Sequence, residues 1–587
     1  MKLIFHYMSK YKLSIFFGMF LKLLATLSEL MIPYILEHII DEVVPLGQLG
    51  PVIFWGLLMI LTAVVTRQLN VFANRRSVEN AHNVSYDVRQ DLFTKTANLS
   101  GSQFDAFGLP SLISRMTSDS YNVQSCVRSL QTMCIRAPIL LAGGIAVTMT
   151  MDPVLSSILC IMVPVLAVII IGVSRYGIPL YNKVQEKLDD VVRIMRENIT
   201  GIRVVKALSK ADYEKRHFGA ANDEMTRSDI KASTVMAIPG PFMQTCLNAG
   251  LTLVVIVGAN RVNNGVMKPG VILAFLTYFN MVMQGVMGLN RIFMMISKAS
   301  ASADRIGKVL SADVDQKILS LKEAKQPAGD EFIRFEHVNF SYNAGAEGLV
   351  DASAFAGEGR EQCLYDISFA LRKGESLGII GPTGCGKTTI INLLMRFYDV
   401  EDGGVFVDGR DVRTYEKDEL HRKFGVVFQN DIVFFNTLRE NIRFGRDLNE
   451  EDLRRAVEDA VAAEYVDSLE GGLDYQADIK GANLSGGQKQ RLLIARALAG
   501  DPEILILDDS SSALDYKTDA MLRKAIFEHH KNSTTIMVAQ RVSSIQNMTH
   551  ILVMDNGKCI GYGSHEELLK TCPEYQEIYQ TQMGAMA

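Results

Sequence analysis

The chain has 587 residues, 60 basic against 65 acidic side chains, a formal net charge of −5 and an apolar fraction of 48%. Near-balanced charge gives no electrostatic basis for a nucleic-acid partner. The eight cysteines, at 126, 134, 160, 246, 363, 385, 559 and 572, show neither metal-ligand spacing nor a compact disulfide framework, which excludes a zinc-stapled or disulfide-built scaffold.

Met1 to Lys12 is a mildly basic segment with Phe5, Tyr7 and Tyr11, and it reads as an interfacial helix rather than a cleavable leader. Long apolar runs follow. A membrane span needs roughly 20 mainly apolar residues, and six segments qualify: Leu13 to Ile40, Val52 to Val71, Met133 to Thr150, Pro153 to Val173, Val235 to Gly258 and Val271 to Ile296. The loop Asp41 to Leu46 and the turn Met151-Asp152-Pro153 carry no Lys or Arg, whereas segments 75–128 and 174–232 carry many. By the positive-inside rule the long basic segments face the cytoplasm, with Arg261 and Lys268 as minor exceptions in the last outer loop. An even number of spans then puts both termini, and whatever follows the spans, inside a multi-pass cell-membrane protein.

Several polar residues fall within the apolar runs: Glu29 in the first, and Gln244, Asn248, Asn280, Gln284 and Asn290 in the last two. Such residues are costly in lipid. A substrate cavity and interhelical hydrogen bonding both account for them. The sixth span also holds Met281, Met283, Met287, Met294 and Met295, flexible side chains that serve either ordinary packing or a surface accepting varied apolar molecules.

Residues 306–330 are charged, end in Gln326-Pro327-Ala328-Gly329, and mark a linker between a membrane domain at 1–305 and a soluble domain at 331–587. Phe332 to Phe340 alternates like a strand, and Tyr342 follows it. Residues 343–362 form a Gly/Ala-rich segment that reads as a surface loop. Ser376 to Ile380 is an apolar strand. It leads into Gly381-Pro382-Thr383-Gly384-Cys385-Gly386-Lys387-Thr388, and Thr389 to Leu394 continues as a helix. That strand–loop–helix context makes the motif a phosphate-binding loop. Its glycines let the backbone wrap a triphosphate, and its N–H groups and the helix start supply positive potential. Lys387 is expected to bind the β and γ phosphates and Thr388 to ligate Mg²⁺. A thiol reagent at Cys385, inside this loop, is expected to block nucleotide binding. Asp508 ends the apolar strand Ile504 to Leu507 and is expected to hold Mg²⁺ through water.

Between these motifs lies Leu484-Ser485-Gly486-Gly487-Gln488. The three motifs in this order resemble the nucleotide-binding domain of ATP-binding cassette (ABC) proteins. With the six spans, the resemblance extends to the ABC exporters and covers nearly the whole chain. It implies an α-helical six-span transmembrane domain joined to an α/β P-loop domain, with ATP and Mg²⁺ as cofactors. It further implies that Tyr342 stacks on adenine, that Gln429 contacts Mg²⁺ or the attacking water, and that Ser512-Ala513-Leu514-Asp515 crosses a dimer interface. Ser485, Gly486, Gly487 and Gln488 would close over the ATP held by another subunit. Phe104-Asp105 with Ser114 to Asp119, and Ile202 to Ala207 with Phe218, resemble the elements that couple cassette closure to the spans.

The chain departs from the family at four places, the first being the Gly/Ala-rich segment 343–362, which replaces a usually shorter connection. Asp509 stands where a catalytic glutamate is usual, one methylene shorter. Gln540, before Arg541, stands where a histidine is usual, and an amide takes no positive charge. Ile479-Lys480-Gly481 lacks the usual glutamate before the signature. Loss of a general base typically costs roughly 10²–10⁴ in rate. Asp509 and Gln540 belong to this chain's own nucleotide, whereas the intact Ser485 motif serves the other. The expectation is therefore one half of a heterodimeric exporter of amphipathic drugs or lipids, with a hydrolysis-impaired site here and a homologous half-transporter as partner. Rival readings are an active homodimer, a peptide exporter, a metallophore importer and an ATP-gated regulator or channel. Only about twelve residues precede the first span, which argues against a processing peptidase at that end.

Overall fold

The computed structural model describes residues 1–313, 316–342, 362–510 and 513–584. Residues 343–361 of the Gly/Ala-rich segment and Ser512 lie outside the described residues, as does the side chain of Asn290. The chain divides into two units, one of Met1–Lys95 and Leu112–Ser311, the other of Thr96–Ser111 and Ala312–Ala587.

Among its described residues the first unit is entirely helical and turn. Six helical stretches are long and apolar enough to cross a membrane: Lys12–Leu46, Leu49–Ala97, Leu109–Met151, Pro153–Thr200, Ala211–Asn263 and Pro269–Leu310. Each contains one of the six apolar segments read from the sequence. At about 1.5 Å per residue the Leu49–Ala97 helix is about 73 Å long, more than twice the roughly 30 Å hydrocarbon core, so its charged half must run beyond the lipid. Ile53, Phe54 and Leu57 are 58%, 64% and 62% exposed. Apolar side chains facing outward in such numbers belong in lipid or against another protein, not in water. The interior is packed by Leu155, Leu159, Phe275, Phe279 and Val282, and the buried Tyr278 hydroxyl donates to the Leu30 carbonyl at 2.6 Å.

The helix ends explain the two cations that broke the loop-charge pattern. Asp152 caps the Pro153–Thr200 helix by accepting from the Val154 and Leu155 N–H groups at 2.9 and 3.0 Å. Its other oxygen pairs with Arg261 at 2.9 Å. Lys268 pairs with Glu42 at 2.5 Å. Both outer cations are thus locally neutralised. Asp41 accepts from the Gly270 and Val271 N–H groups at 2.6 and 3.1 Å, pinning the start of the Pro269–Leu310 helix to the end of the first span.

The polar residues of the spans are mostly satisfied by neighbouring helices or by their own. Arg136 donates to Glu29 at 2.8 and 3.3 Å. Gln244 donates to Asn248 at 3.4 Å, and Asn280 to the Leu276 carbonyl at 2.9 Å. Near the two coupling-like segments, Arg305 Nε donates to Asp119 Oδ2 at 2.8 Å. The short helix Ile202–Ala207 leaves Ile202 and Val204 45% and 61% exposed.

Among its described residues the second unit is built on ten strands: β1 (Ile333–Phe340), β2 (Leu364–Leu371), β3 (Ser376–Ile380), β4 (Asp402–Val407), β5 (Arg410–Asp411), β6 (Phe424–Val427), β7 (Ile504–Asp508), β8 (Thr534–Val538), β9 (His550–Asp555) and β10 (Lys558–Gly563). Their spatial order is β5-β4-β1-β2-β10-β9-β3-β8-β7-β6. The pairs β6–β7, β7–β8, β8–β3 and β3–β9 are all parallel. The remaining ladders are antiparallel apart from one bridge between β10 and β2. Strands β3, β7 and β8 are buried at every residue, as expected of parallel strands covered on both faces.

The helix Gly101–Phe107 also belongs to this unit. Ser100 and Gln103 form its capping box. The Gly101 N–H donates to the Phe397 carbonyl at 3.0 Å, and the Tyr398 hydroxyl donates to Asp105 Oδ2 at 2.6 Å. Phe104-Asp105, read as a coupling element, therefore docks on the segment that ends the helix after the phosphate loop.

Candidate nucleotide site

In an open parallel sheet, ligands bind where the strands end. Here the C-terminal ends of β3, β6, β7 and β8 deliver, respectively, the phosphate loop, Gln429, Asp508-Asp509 and Gln540 to one cavity of about 520 Å³. Tyr342, Thr383, Gly384, Gly386, Lys387, Thr388 and Thr389 also line it. Ser485, Gly486, Gly487, Gln488 and Asp515 do not.

The loop itself demands glycine. Gly386 has φ +96°, and a Cβ there would lie 2.6 Å from Leu364 Cδ2. Lys387 begins the helix Lys387–Leu394 and donates to the Gly381 and Pro382 carbonyls at 2.9 and 2.7 Å. Its ammonium is thus held inside the turn that a phosphate would occupy. Cys385 is buried beneath the loop, with Lys387 Nζ at 3.7 Å from its sulfur. Burial pushes its thiol up from the ordinary range. A buried, protonated thiol is a poor nucleophile, so modification there is slower than the loop position alone implied.

Tyr342 is fixed at the cavity's edge. Its hydroxyl lies 2.9 Å from Thr389 Oγ1 and accepts from Asn392 Nδ2 at 3.3 Å. Its ring packs edge-on against Phe340 and Tyr398. The cavity wall also includes Gln362, Cys363, Tyr365, Asn556 and Gly557, which the sequence reading did not single out. No local motif marks them. They reach the cavity through the pairing of β2 with β10, a long-range ladder.

Thr388 Oγ1 donates to Asp508 Oδ2 at 3.0 Å across the cavity floor. Asp508 is 2% exposed, and burial pushes its carboxyl up from the ordinary range. A carboxylate, a hydroxyl and the Gln429 amide thus offer only oxygen donors around one space, the set a hard divalent cation such as Mg²⁺ takes. A cation there would offset the cost of burying the Asp508 charge.

Asp509 adopts φ +48°, a left-handed conformation that Asp tolerates better than most side chains. Gln540 Nε2 donates to Asp509 Oδ2 at 3.0 Å. The backbone at Gln540 is held from behind: its carbonyl accepts from Gln582 Nε2 at 2.8 Å, and Gln582 Oε1 accepts from the Val542 N–H at 2.8 Å.

Residues 15–287 match the family profile of the ABC transporter transmembrane region, and residues 364–512 match the profile described as ABC transporter. The ABC transporter ATP-binding protein YfiB of Bacillus subtilis is 31% identical, over 95% of this chain and 94% of that protein. The chain belongs to the ABC transporter family. The ATP-dependent lipid A-core flippase of Desulfotalea psychrophila is also 31% identical, over 99% of each chain. In three dimensions the chain resembles a bacterial Atm1-family ABC exporter with ATP bound, at a TM-score of 0.78, 21% identity and coverage of 97% of this chain and 99% of that one. The fold is therefore that of an exporter-type half-transporter, and the second unit contains its ABC ATPase domain.

In this ABC transporter chain the signature motif is the start of the helix Gly486–Leu498. Ser485 is its N-cap: its hydroxyl accepts from the Gln488 N–H at 3.3 Å, and Gln488 Oε1 accepts from the Ser485 N–H at 2.8 Å. This capping box leaves the glycine N–H groups at the positive end of the helix dipole. Asp515 likewise caps the helix Tyr516–His529, accepting from the Thr518 N–H at 2.8 Å, and Arg541 stacks over Tyr516 with 4.7 Å to the ring centroid.

Proposed function

We propose that this chain is one half of a heterodimeric ABC exporter of amphipathic small molecules, drugs or lipids, and that the ATP held on its own phosphate loop is hydrolysed slowly. The observation that carries this reading is the pair at the end of the cavity: a short carboxylate, Asp509, accepting a hydrogen bond from a permanently neutral amide, Gln540. Hydrolysis needs a base within hydrogen-bond reach of the attacking water and cationic support for the charge that develops on the γ-phosphate. Asp509 reaches less far than glutamate, and one of its oxygens is already engaged. Gln540 offers a donor without charge.

In this reading Lys387, Thr388 and the loop N–H groups bind the triphosphate, and Tyr342 faces the adenine. Thr388, Asp508 and Gln429 would hold Mg²⁺, which supplies charge neutralisation for the phosphates when bound. The signature motif serves the partner's ATP. Among the described residues a Cβ at Gly486 would meet nothing closer than 3.7 Å, so their packing does not require glycine there, whereas close approach of a triphosphate does. The soluble unit and both termini face the cytoplasm. The name of the Desulfotalea flippase supports a lipid among the substrates.

The test is ATP turnover by the purified chain alone and by the chain copurified with a homologous half-transporter. We expect slow turnover alone and at least about 10²-fold faster turnover in the pair. Robust Mg²⁺-dependent turnover by the lone chain would overturn the asymmetric reading.

Coupling has its own test at Gly101. A Cβ there would lie 2.7 Å from the Tyr398 ring and 2.8 Å from the Phe397 carbonyl. Gly101→Val is expected to lift the Gly101–Phe107 helix off its seat. Substrate stimulation of ATPase should fall to near baseline, with nucleotide binding to the pair retained in an equilibrium assay.

A further inference from the structure

A second cavity, of about 390 Å³, lies within the membrane unit, lined among others by Lys22, Arg136, Gln284 and Arg291. These residues come from the first, third and sixth spans. Lys22 lies about 15 Å along the Lys12–His38 helix, well inside the apolar run. Cations at such depth are expensive and need a counter-charge or a function.

The counter-charge is insufficient. Glu29 is the carboxylate bound to this group, and it is engaged by Arg136 at 2.8 Å. Among the described residues the buried Lys22 ammonium donates only to amide oxygens, Asn70 Oδ1 at 2.6 Å and Asn74 Oδ1 at 3.3 Å. Arg291 is exposed to the cavity and makes no ion pair among the described residues. Three cations thus face one anion. Interhelical bonding explains the Arg136–Glu29 and Lys22–Asn70 contacts, but it does not call for the remaining positive charge. Met133 and Leu140, one turn either side of Arg136, and Met287, one turn before Arg291, add apolar lining beside the cations. A cavity of this size lined by both cations and apolar side chains fits an amphiphile.

We propose that this cavity is a substrate subsite that takes the anionic headgroup, phosphate or carboxylate, of a molecule with an apolar tail. Lys22, Arg136 and Arg291 hold the headgroup and Met133, Leu140 and Met287 receive the start of the tail. This deepens the proposed transport of amphipathic molecules and rests on it. Guanidinium groups suit the task because they present several donors to an oxyanion in a fixed fork. Asn74 and Arg136 of the cavity lie at the ends of the second and third spans that adjoin the basic segment 75–128, so the headgroup enters from that side.

The test is equilibrium binding of radiolabelled dodecyl phosphate to the full transporter in phosphatidylcholine nanodiscs without nucleotide. This keeps its outcome separate from that of the asymmetric ATPase reading. Unlabelled dodecyl phosphate should compete and dodecyltrimethylammonium should not. Arg291→Gln should weaken binding about tenfold or more, the loss of one charge-assisted contact, and Arg291→Lys should keep most of it. Because Arg136→Gln alone would leave Glu29 unpaired, the double variant Glu29→Gln with Arg136→Gln tests that cation without orphaning the carboxylate. It too should weaken binding. Displacement by phosphatidate added to the disc identifies a lipid source, and displacement only by soluble alkyl anions identifies a water-borne one. Equal binding of phosphate and ammonium amphiphiles, or unchanged affinity in both the Arg291→Gln and the double variant, would sink the proposal.

Discussion

Changing Ser485 to Asp in this chain is expected to lower ATP turnover of the assembled pair by about 10²–10³-fold, the usual cost of losing one donor to a developing oxyanion. Asp509→Asn in the same chain should change turnover by less than about twofold, since in the proposed pair it touches only the slow site. Asp is chosen at 485 because the native hydroxyl is an N-cap, accepting from the Gln488 N–H at 3.3 Å. Ser→Ala would remove the cap as well, at about 1 kcal/mol. Asp caps equally well, so the signature helix keeps its start while an anion now faces the partner's γ-phosphate. Like charges in a closed, dry interface repel strongly. Loss of turnover with an unchanged melting temperature would therefore report the interface and not misfolding. Full activity of the Ser485→Asp pair, or its abolition by Asp509→Asn, would show that the fast site is the one on Lys387.

Which parts of this molecule can be read from sequence follows from the range of the interactions. The phosphate loop is local: eight consecutive residues whose glycines and lysine carry their own geometry. So are the six spans, because lipid imposes length and apolarity on each helix separately. Asp508, Gln429 and Gln540 were legible because each ends or follows a short apolar strand, and parallel strands deliver their ends to one edge. The cationic cavity was not legible. Lys22, Arg136 and Arg291 are far apart in the chain, and each sits in an apolar run long enough to absorb one charge without losing its hydropathy signal. Of the polar residues that did attract notice, Glu29 and Gln284 belong to that cavity, one through its pair with Arg136 and the other in the lining, whereas Gln244 and Asn280 bond within their own helices. The docking of the Gly101–Phe107 helix on Phe397 and Tyr398 was also hidden, since one backbone bond and one hydroxyl leave no pattern.

The converse experiment rebuilds the site proposed to be slow. With the partner's catalytic carboxylate neutralised, Asp509→Glu combined with Gln540→His is expected to raise hydrolysis at the Lys387 loop by about 10²–10⁴-fold, the range for restoring a general base. The longer arm lets the carboxylate approach the attacking water, and a histidine adds a donor that can carry charge. The backbone at Gln540 is anchored through Gln582 and not through its own side chain, so the new ring would start from the same position. Asp509 lies at φ +48°. Glu is less at ease there than Asp, at a cost of order 1–3 kcal/mol, which the fold must absorb locally. Asp509→Glu alone should give an intermediate rate, because the hydrogen bond from the Gln540 amide still engages the carboxylate. Trapping of labelled ADP with vanadate at Lys387 reads the product of this site directly. A double variant that binds ATP as before and traps no more ADP than the parent would mean that the limit on this site lies elsewhere, in how the two cassettes close.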